Sequence, residues 1–263
     1  MITAREIKQL RLLRQKKHRH SQGRFLIEGA RIVAEAINSG VAISVVFYTP
    51  ESPKSELWRT IYTAAKPREI PMVEISPNQA TLLRTTQHTQ GVFAALPSPE
   101  PVRDHSRLLE GPILVLDDIS DPGNMGTLLR IADWFGIPTI WISKGSADLY
   151  NPKVVRAAAG AHFHVKNLYQ GNLKALSGQL SEHRIICLGA TIHGENLDSL
   201  ALPDDNWALV LGNEARGLGL EWQKRLDREV KIPGTGAAES LNVSVAAGII
   251  LYQLRIVKPT TSS

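Results

Sequence analysis

The stretch Ile232-Pro233-Gly234-Thr235-Gly236-Ala237-Ala238-Glu239-Ser240-Leu241-Asn242-Val243-Ser244-Val245-Ala246-Ala247-Gly248 decides the fold. A short β-type run, Glu229-Val230-Lys231-Ile232, ends in a Gly/Pro loop that opens directly into an apolar, Ala-rich helix. Ser240 and Asn242 stand at the mouth of that helix. A strand-loop-helix junction of this kind presents bare backbone N–H groups and small polar side chains, which can hold a polar ligand.

Two further junctions lie upstream. Ile113-Leu114-Val115-Leu116-Asp117 runs through Asp121-Pro122-Gly123-Asn124-Met125-Gly126 to Arg130, and Trp207-Ala208-Leu209-Val210-Leu211 runs through Gly212-Asn213-Glu214 to Gly217-Leu218. Open α/β sheets bind ligands beyond the carboxyl ends of their strands, and all three loops occupy such ends. Strands are expected at 113–116, 139–142, 162–165, 185–190, 207–211 and 230–232, with helices at 125–135, 152–158, 172–180, 218–226 and 240–257.

In this order and spacing the three segments resemble the SpoU/TrmH family of RNA ribose 2′-O-methyltransferases, of the SPOUT superfamily. The first motif is carried by Asn124, Gly126 and Arg130, the second by Gly212, Glu214, Gly217 and Leu218. The third is carried by Ile232, Pro233, Ser240, Leu241, Asn242, Ser244 and Ala246. The motif-bearing part covers about residues 111 to 257. Residues 1–100 are similar, more loosely, to the substrate-binding extension of family members. The resemblance implies an α/β fold: a trefoil-knotted SPOUT methyltransferase domain at 113–263, a smaller N-terminal α/β RNA-binding domain at 1–100, and a linker at 101–112. It implies S-adenosylmethionine as cofactor and a homodimer formed through the C-terminal domain. It implies RNA as partner, with 23S ribosomal RNA ahead of tRNA.

The resemblance also assigns roles. Arg130, Asn124, Glu214, Ser240 and Asn242 become the catalytic set; Gly212, Ile232 and Leu241 become cofactor contacts, with Thr191 as an added one. A ribose 2′-hydroxyl attacking a sulfonium methyl must be placed in line and lose its proton. A guanidinium does not readily give up its own proton. Arg130 is therefore read as a charge that eases ionisation of the hydroxyl and grips the adjacent phosphate. The plainer alternatives are an Arg reaching solvent, Asn124 as a turn residue, Ser240 and Asn242 as helix caps, Glu214 as a surface charge near Arg216, and Thr191 as an ordinary strand-end polar residue.

Composition narrows the other classes. The chain has 263 residues, 43% of them apolar, enough for one large or two ordinary domains. Its one cysteine, Cys187, forbids an intrachain disulfide or a Cys-based zinc site and reads as a buried small hydrophobe. No metal site is expected, since His162 and His164 alternate without nearby carboxylates or cysteines. Met1–Arg24 lacks the apolar segment of a leader, and no run approaches membrane-spanning length, so a cytoplasmic setting is expected.

Net charge is +5, but residues 1–24 alone carry +7 and the remainder −2. Ile7, Leu10 and Leu13 recur at helical spacing among these cations, so one face can pack while the others stay basic. Such a stripe is usually a solvated face, and here it also points to phosphate contact. Residues 22–96 alternate strand and helix, implying a layered, largely parallel sheet. Pro97, Pro99 and Pro101 mark the linker. The polar loop Thr85–Gly91, with His88, is a further candidate RNA contact.

A dinucleotide enzyme is the main competitor, because Gly234-Thr235-Gly236 follows a strand and precedes a helix. Its third glycine is replaced by Glu239, and no acidic residue follows to bind a ribose, so that reading fails. A non-catalytic RNA-binding module is the other competitor; cofactor affinity separates it from an enzyme.

Overall fold

A computed structural model of the chain describes residues 2–87, 89–99, 105–200 and 206–257. His88, singled out above, lies outside them. In chain order the first elements are α1 (Ala4–Leu12), α2 (Lys16–Gln22), β1 (Arg24–Glu28), α3 (Ala30–Asn38), β2 (Val45–Tyr48), α4 (Glu56–Ala65), β3 (Met72–Glu74), α5 (Pro77–Leu83) and β4 (Val92–Pro97). Then come β5 (Ile113–Leu116), α6 (Pro122–Trp134), β6 (Thr139–Ser143), α7 (Pro152–Ala158), β7 (Asn167–Gly171) and α8 (Lys174–Glu182). The last are β8 (Ile186–Asn196), β9 (Trp207–Leu211), α9 (Leu220–Gln223), β10 (Arg228–Lys231) and α10 (Val243–Tyr252).

These elements form two compact units. Unit 1 contains residues 1–100 and also 148–164; unit 2 contains 101–147 and 165–263. The sequence reading crosses from one domain to the next once, at 101–112. The structure adds a return: α7 and its flanks belong to unit 1. The reason is apolar. Val155 joins the core of Phe25, Ile27, Val33, Ile61 and Leu96, and Tyr150 and Phe163 pack against the same cluster. Arg19, counted above among the basic residues of the N-terminus, is 3% exposed and pairs with Asp148 at 3.1 Å. Its Nη1 also donates to the carbonyls of Leu13 and Arg14 at 2.8 and 2.9 Å. A buried charge needs this many partners, and removing one strands the rest.

The sheet of unit 1 has the order β1-β4-β2-β3. β4 runs antiparallel to both β1 and β2, and only β2-β3 is parallel. The expectation of a largely parallel sheet is corrected here. Alternation of helix and strand does not set strand direction, and the last strand inserts into the middle of the sheet. Ile7, Leu10 and Leu13 are buried as their spacing requires, packing with Phe47, Leu83 and Phe93. Ser76 caps α5 in a reciprocal capping box with Gln79.

Unit 2 is built on a fully parallel six-stranded sheet, β10-β8-β9-β5-β6-β7. β5 and β9 are buried at every position, which accounts for their unbroken apolar runs. The strand expected at 162–165 is a 3-10 turn, Ala161–Phe163, and the strand itself lies further on at Asn167–Gly171. Phe163 between two histidines imitates a two-residue period, while positive φ at Ala159 and Gly160 closes α7 and turns the chain.

Candidate active site

Three strand ends meet the three motifs. Asn124 sits in the first turn of α6, after β5. Gly212 follows β9, and Ile232 follows β10. Asp121 caps α6, its Oδ1 accepting from the Asn124 N–H at 2.8 Å. Asn242 caps α10, its Oδ1 accepting from the N–H groups of Ser244 and Val245 at 2.9 and 3.4 Å. Each such cap is worth roughly 1 kcal/mol.

The side chain of Asn124 ties the motifs together. Its Nδ2 donates to Glu214 Oε1. Its Oδ1 accepts from Asn242 Nδ2 at 3.1 Å and from Ser244 Oγ at 3.3 Å. A carboxylate only accepts, so the amide orientation follows from the presence of Glu214. Ser244 is buried at 4% exposure and also bonds the Asn124 carbonyl at 3.3 Å. Sequence reading quoted Ser244 in the motif but assigned it no role. Its position two residues beyond the cap Asn242, in the first turn of α10, is the signal that finds it.

Other expected residues stand apart from this network. Arg130 is exposed on α6 and Ser240 is exposed ahead of α10; neither is bonded to Asn124, Glu214 or Asn242. Arg216 does not pair with Glu214. It reaches Asp118 at 2.5 Å, and Asn213 Nδ2 donates to the Asp118 carbonyl at 3.0 Å. Asp118 holds positive φ at the end of β5, so the two strand-end loops are pinned to each other. Next to it, burial pushes the Asp117 carboxyl above its usual range, opposed by the Gly219 N–H it accepts and reinforced by Asp118.

Of the proposed cofactor residues, Thr191 lies on β8, Gly212 and Ile232 stand just beyond β9 and β10, and Leu241 just ahead of α10; β10, β8 and β9 are neighbours in the sheet. Gly212 has no room for a side chain: a Cβ there would meet the Gly217 carbonyl oxygen at 2.3 Å and its carbon at 2.5 Å. The loop therefore folds tightly against its own strand end. Ile232 is half-buried, and Leu241 is 47% exposed. Main chain that closely packed, beside open aliphatic side chains, fits an uncharged purine ring. Thr191 is already engaged. Its hydroxyl donates to Glu229 Oε2 at 2.9 Å and accepts from the Gly194 N–H at 3.1 Å, stapling an irregular stretch of β8 against β10.

Among the described residues no group of three or more His, Cys, Asp or Glu side chains is placed to hold a metal ion. No helix among them is long and apolar enough to cross a membrane. Cys187 is 1% exposed, and burial pushes its thiol up to about 12.

A parallel α/β sheet with small-residue and polar loops gathered at its strand ends is the frame of a nucleotide-cofactor enzyme. The SpoU rRNA Methylase family model matches residues 111–252, and the MRM3-like substrate binding domain model matches residues 4–94. The chain belongs to the SpoU rRNA methylase family. It is 29% identical over 95% of its length to the Bacillus subtilis 23S rRNA (guanosine(2553)-2′-O)-methyltransferase RlmP, covering 96% of that protein. A putative RNA methyltransferase of the TrmH family from Porphyromonas gingivalis superposes with a TM-score of 0.83 at 32% identity, over 97% of this chain and 98% of that one. The SpoU methyltransferase AviRb from Streptomyces viridochromogenes, solved in complex with AdoMet, superposes with a TM-score of 0.81 at 26% identity, over 95% and 97% of the two chains.

Proposed function

We propose that this protein transfers the methyl group of S-adenosylmethionine to a ribose 2′-hydroxyl of 23S ribosomal RNA. The observation that carries the reading is the bonding of Asn124 to Glu214, Asn242 and Ser244, which gathers three distant motif segments at one place. The ribosomal substrate is supported by the likeness to RlmP across nearly the whole of both chains.

When bound, the cofactor supplies an electrophilic methyl on a sulfonium leaving group. Gly212, Ile232 and Leu241 hold its adenine through main chain and aliphatic contact. Asn124, fixed on both sides of its amide, sets the floor on which the ribose rests. Glu214 and Asn242 keep that amide in place, and Ser240 lines the approach. Arg130 is exposed on α6, with its charge available to a phosphate and to a ribose oxygen losing its proton. The proton passes to phosphate or water.

A homodimer and the deep trefoil knot belong to the same reading, as does a cytoplasmic setting. Leu241, Val245, Ile249, Tyr252 and Ile256 are all 40% or more exposed, and Trp134 of α6 is 84% exposed. Val245, Ile249 and Tyr252 recur at helical spacing on one face of α10, with Leu241 and Ile256 just beyond its two ends, and α6 packs beside α10. An apolar stripe of this length suits a second copy of the chain. Arg130 of one subunit then serves the cofactor of the other.

The test is labelled methyl transfer by the whole chain to 23S ribosomal RNA and to tRNA, with the modified nucleotide mapped. Transfer to ribose oxygen of the ribosomal RNA is expected. Arg130→Ala abolishes it while calorimetric cofactor affinity persists, and Arg130→Lys rescues poorly. Label on tRNA alone overturns the substrate, and absence of cofactor binding overturns the enzyme. Arg130→Ala and Ile232→Asp subunits, refolded together, are expected to complement; an active monomer overturns the shared site.

A further inference from the structure

Unit 1 contains a cavity of about 510 Å³ whose lining includes Arg14, Arg84, Thr85, Thr86, Lys153 and Arg156. Four of its lining side chains are cationic and none is a carboxylate. None of the residues assigned above to methyl transfer or cofactor binding belongs to unit 1. The cations come from three separate segments: the turn after α1, the loop after α5, and α7. The last of these lies in the part of the chain that the SpoU model matches, yet it folds with unit 1.

The guanidinium groups are positioned by neutral partners. Arg14 Nη2 donates to the carbonyls of Leu82, at 2.9 Å, and of Arg84. Arg84 Nη1 donates to the Gln87 carbonyl at 2.7 Å, and Arg156 Nη1 to Thr85 Oγ1 at 2.6 Å. The Glu28 carboxylate beside Arg14 is spent on the loop. It accepts from the Thr85 N–H and hydroxyl, both at 2.6 Å, and from the Thr86 hydroxyl at 2.7 Å. Arg14 Nε is sealed from solvent without a hydrogen-bond partner. Burial, and then repulsion from Arg11, lower the Arg14 pKa, while Glu28 opposes them. Cations crowded in this way, on a loop braced from one side, are stabilised by an incoming anion.

We propose that Arg14, Arg84, Lys153 and Arg156 form a phosphodiester-binding site that grips the backbone of single-stranded RNA. This rests on the RNA-methylating reading above and locates one of its substrate contacts. Planar guanidinium forks match phosphate oxygens in pairs, and the flanking hydroxyls of Thr85 and Thr86 suit the same atoms. The site is a broad depression open to solvent, which a phosphate within a continuous strand can enter from the side.

The experiment is a salt titration of the full chain binding a short fluorescein-labelled oligouridylate, read by anisotropy. Each phosphate contact on a single strand contributes roughly 0.7 to the slope of log affinity against log salt. The double variant Arg84→Gln, Lys153→Gln is expected to flatten that slope by about 1.4, while melting temperature and calorimetric S-adenosylmethionine affinity stay at the parent values. A conservative change serves as the second variant: Arg84→Lys, which keeps charge and loses the fork, should retain the slope and lose affinity. An RNA slope unchanged in the double variant overturns the site and leaves the methyltransferase reading standing. Inorganic phosphate that stabilises the parent chain at matched ionic strength, beside such an unchanged slope, overturns it in favour of a small free anion. A parent chain that neither binds nor methylates RNA overturns both.

Discussion

Asn242 Nδ2 and Asn124 Oδ1 lie 3.1 Å apart across 118 residues of sequence, joining the first turn of α6 to the cap of α10. The bond makes a single amide the meeting point of the first and third motifs, and Glu214 brings in the second. Exchange of that amide for a carboxylate is therefore more informative than its removal.

Asn124→Asp keeps shape but replaces the N–H donor facing Glu214 with a second acceptor. Two carboxylates in contact repel, and one of them takes up a proton more readily. Methyl transfer is expected to be lost near neutral pH, with a melting temperature a few degrees lower, since about 1 kcal/mol shifts it by roughly 2–4 °C in a chain of this size. The melting deficit should shrink as pH is lowered and one carboxyl protonates. A deficit that does not change with pH would assign the damage to another contact.

Gly212→Ala tests the packing of the second motif. The added carbon collides with the backbone at Gly217 and Leu218, which no rotamer change relieves. Overpacking of this kind costs about 1–3 kcal/mol. Thermal melting should fall and calorimetric cofactor affinity should fall with it, because the loop that carries Glu214 must move. Normal melting with weakened cofactor binding would instead place the added carbon against the ligand.

Deletion of residues 1–96 is expected to damage more than RNA binding. It uncovers Tyr150, Val155 and Phe163 and leaves Asp148 without Arg19. Loss of one partner from a buried pair typically costs 3–5 kcal/mol. The truncated chain should aggregate or bind a hydrophobic dye, as read by light scattering and dye fluorescence. Replacing 148–164 by a Gly/Ser linker of equal length, which keeps the crossover between the parallel strands β6 and β7, together with deletion of 1–96 removes the liability, and a more soluble product is expected from it.

Acid sensitivity of unit 1 should trace to His162. Its Nε2 bonds the Leu149 carbonyl at 2.7 Å, and its Nδ1 is sealed without a partner. Burial pushes its pKa down to about 4, with the Leu149 bond opposing. An unfolded histidine titrates near ~6.5. Between these values the unfolded chain binds a proton that the folded chain refuses, so stability falls as pH drops from about 6.5 to about 4 and is untouched by this group above that window. The full shift carries roughly 3 kcal/mol, and the loss should be smaller because the residue as a whole is only half-buried. His162→Gln should reduce the drop in melting temperature between pH 7 and pH 5; an identical drop in the variant would remove His162 as its source.

The parallel sheet of unit 2 was legible because β5 and β9 are buried on both faces and read as pure apolar runs. The burial of Ile7 and Leu10 followed from their spacing in the same way. β7 was missed because Asn167-Leu168-Tyr169-Gln170-Gly171 lacks β-branched residues and is only half-buried along most of its length. The antiparallel placement of β4 depends on which neighbours it pairs with, and local pattern is silent on that. At the candidate site, the motifs singled out Asn124, Glu214 and Asn242, which bond to one another, and Arg130 and Ser240, which stand outside that network; the further partners that fix its geometry are long-range. Ser244 bonding Asn124 and Arg216 pairing with Asp118 join residues about a hundred positions apart.

The return of residues 148–164 to unit 1 bears on how such a protein is inherited. An extension joined end to end can be exchanged as a cassette at its linker. Here Asp148 and Val155, written into the gene between β6 and β7, are fitted to Arg19 and Phe25 near its start. A recombinant that acquired a different first hundred codons would arrive with a mismatched insert. The two segments are bound to diverge as a pair, and correlated substitution at positions 19 and 148 is the trace that such a history leaves.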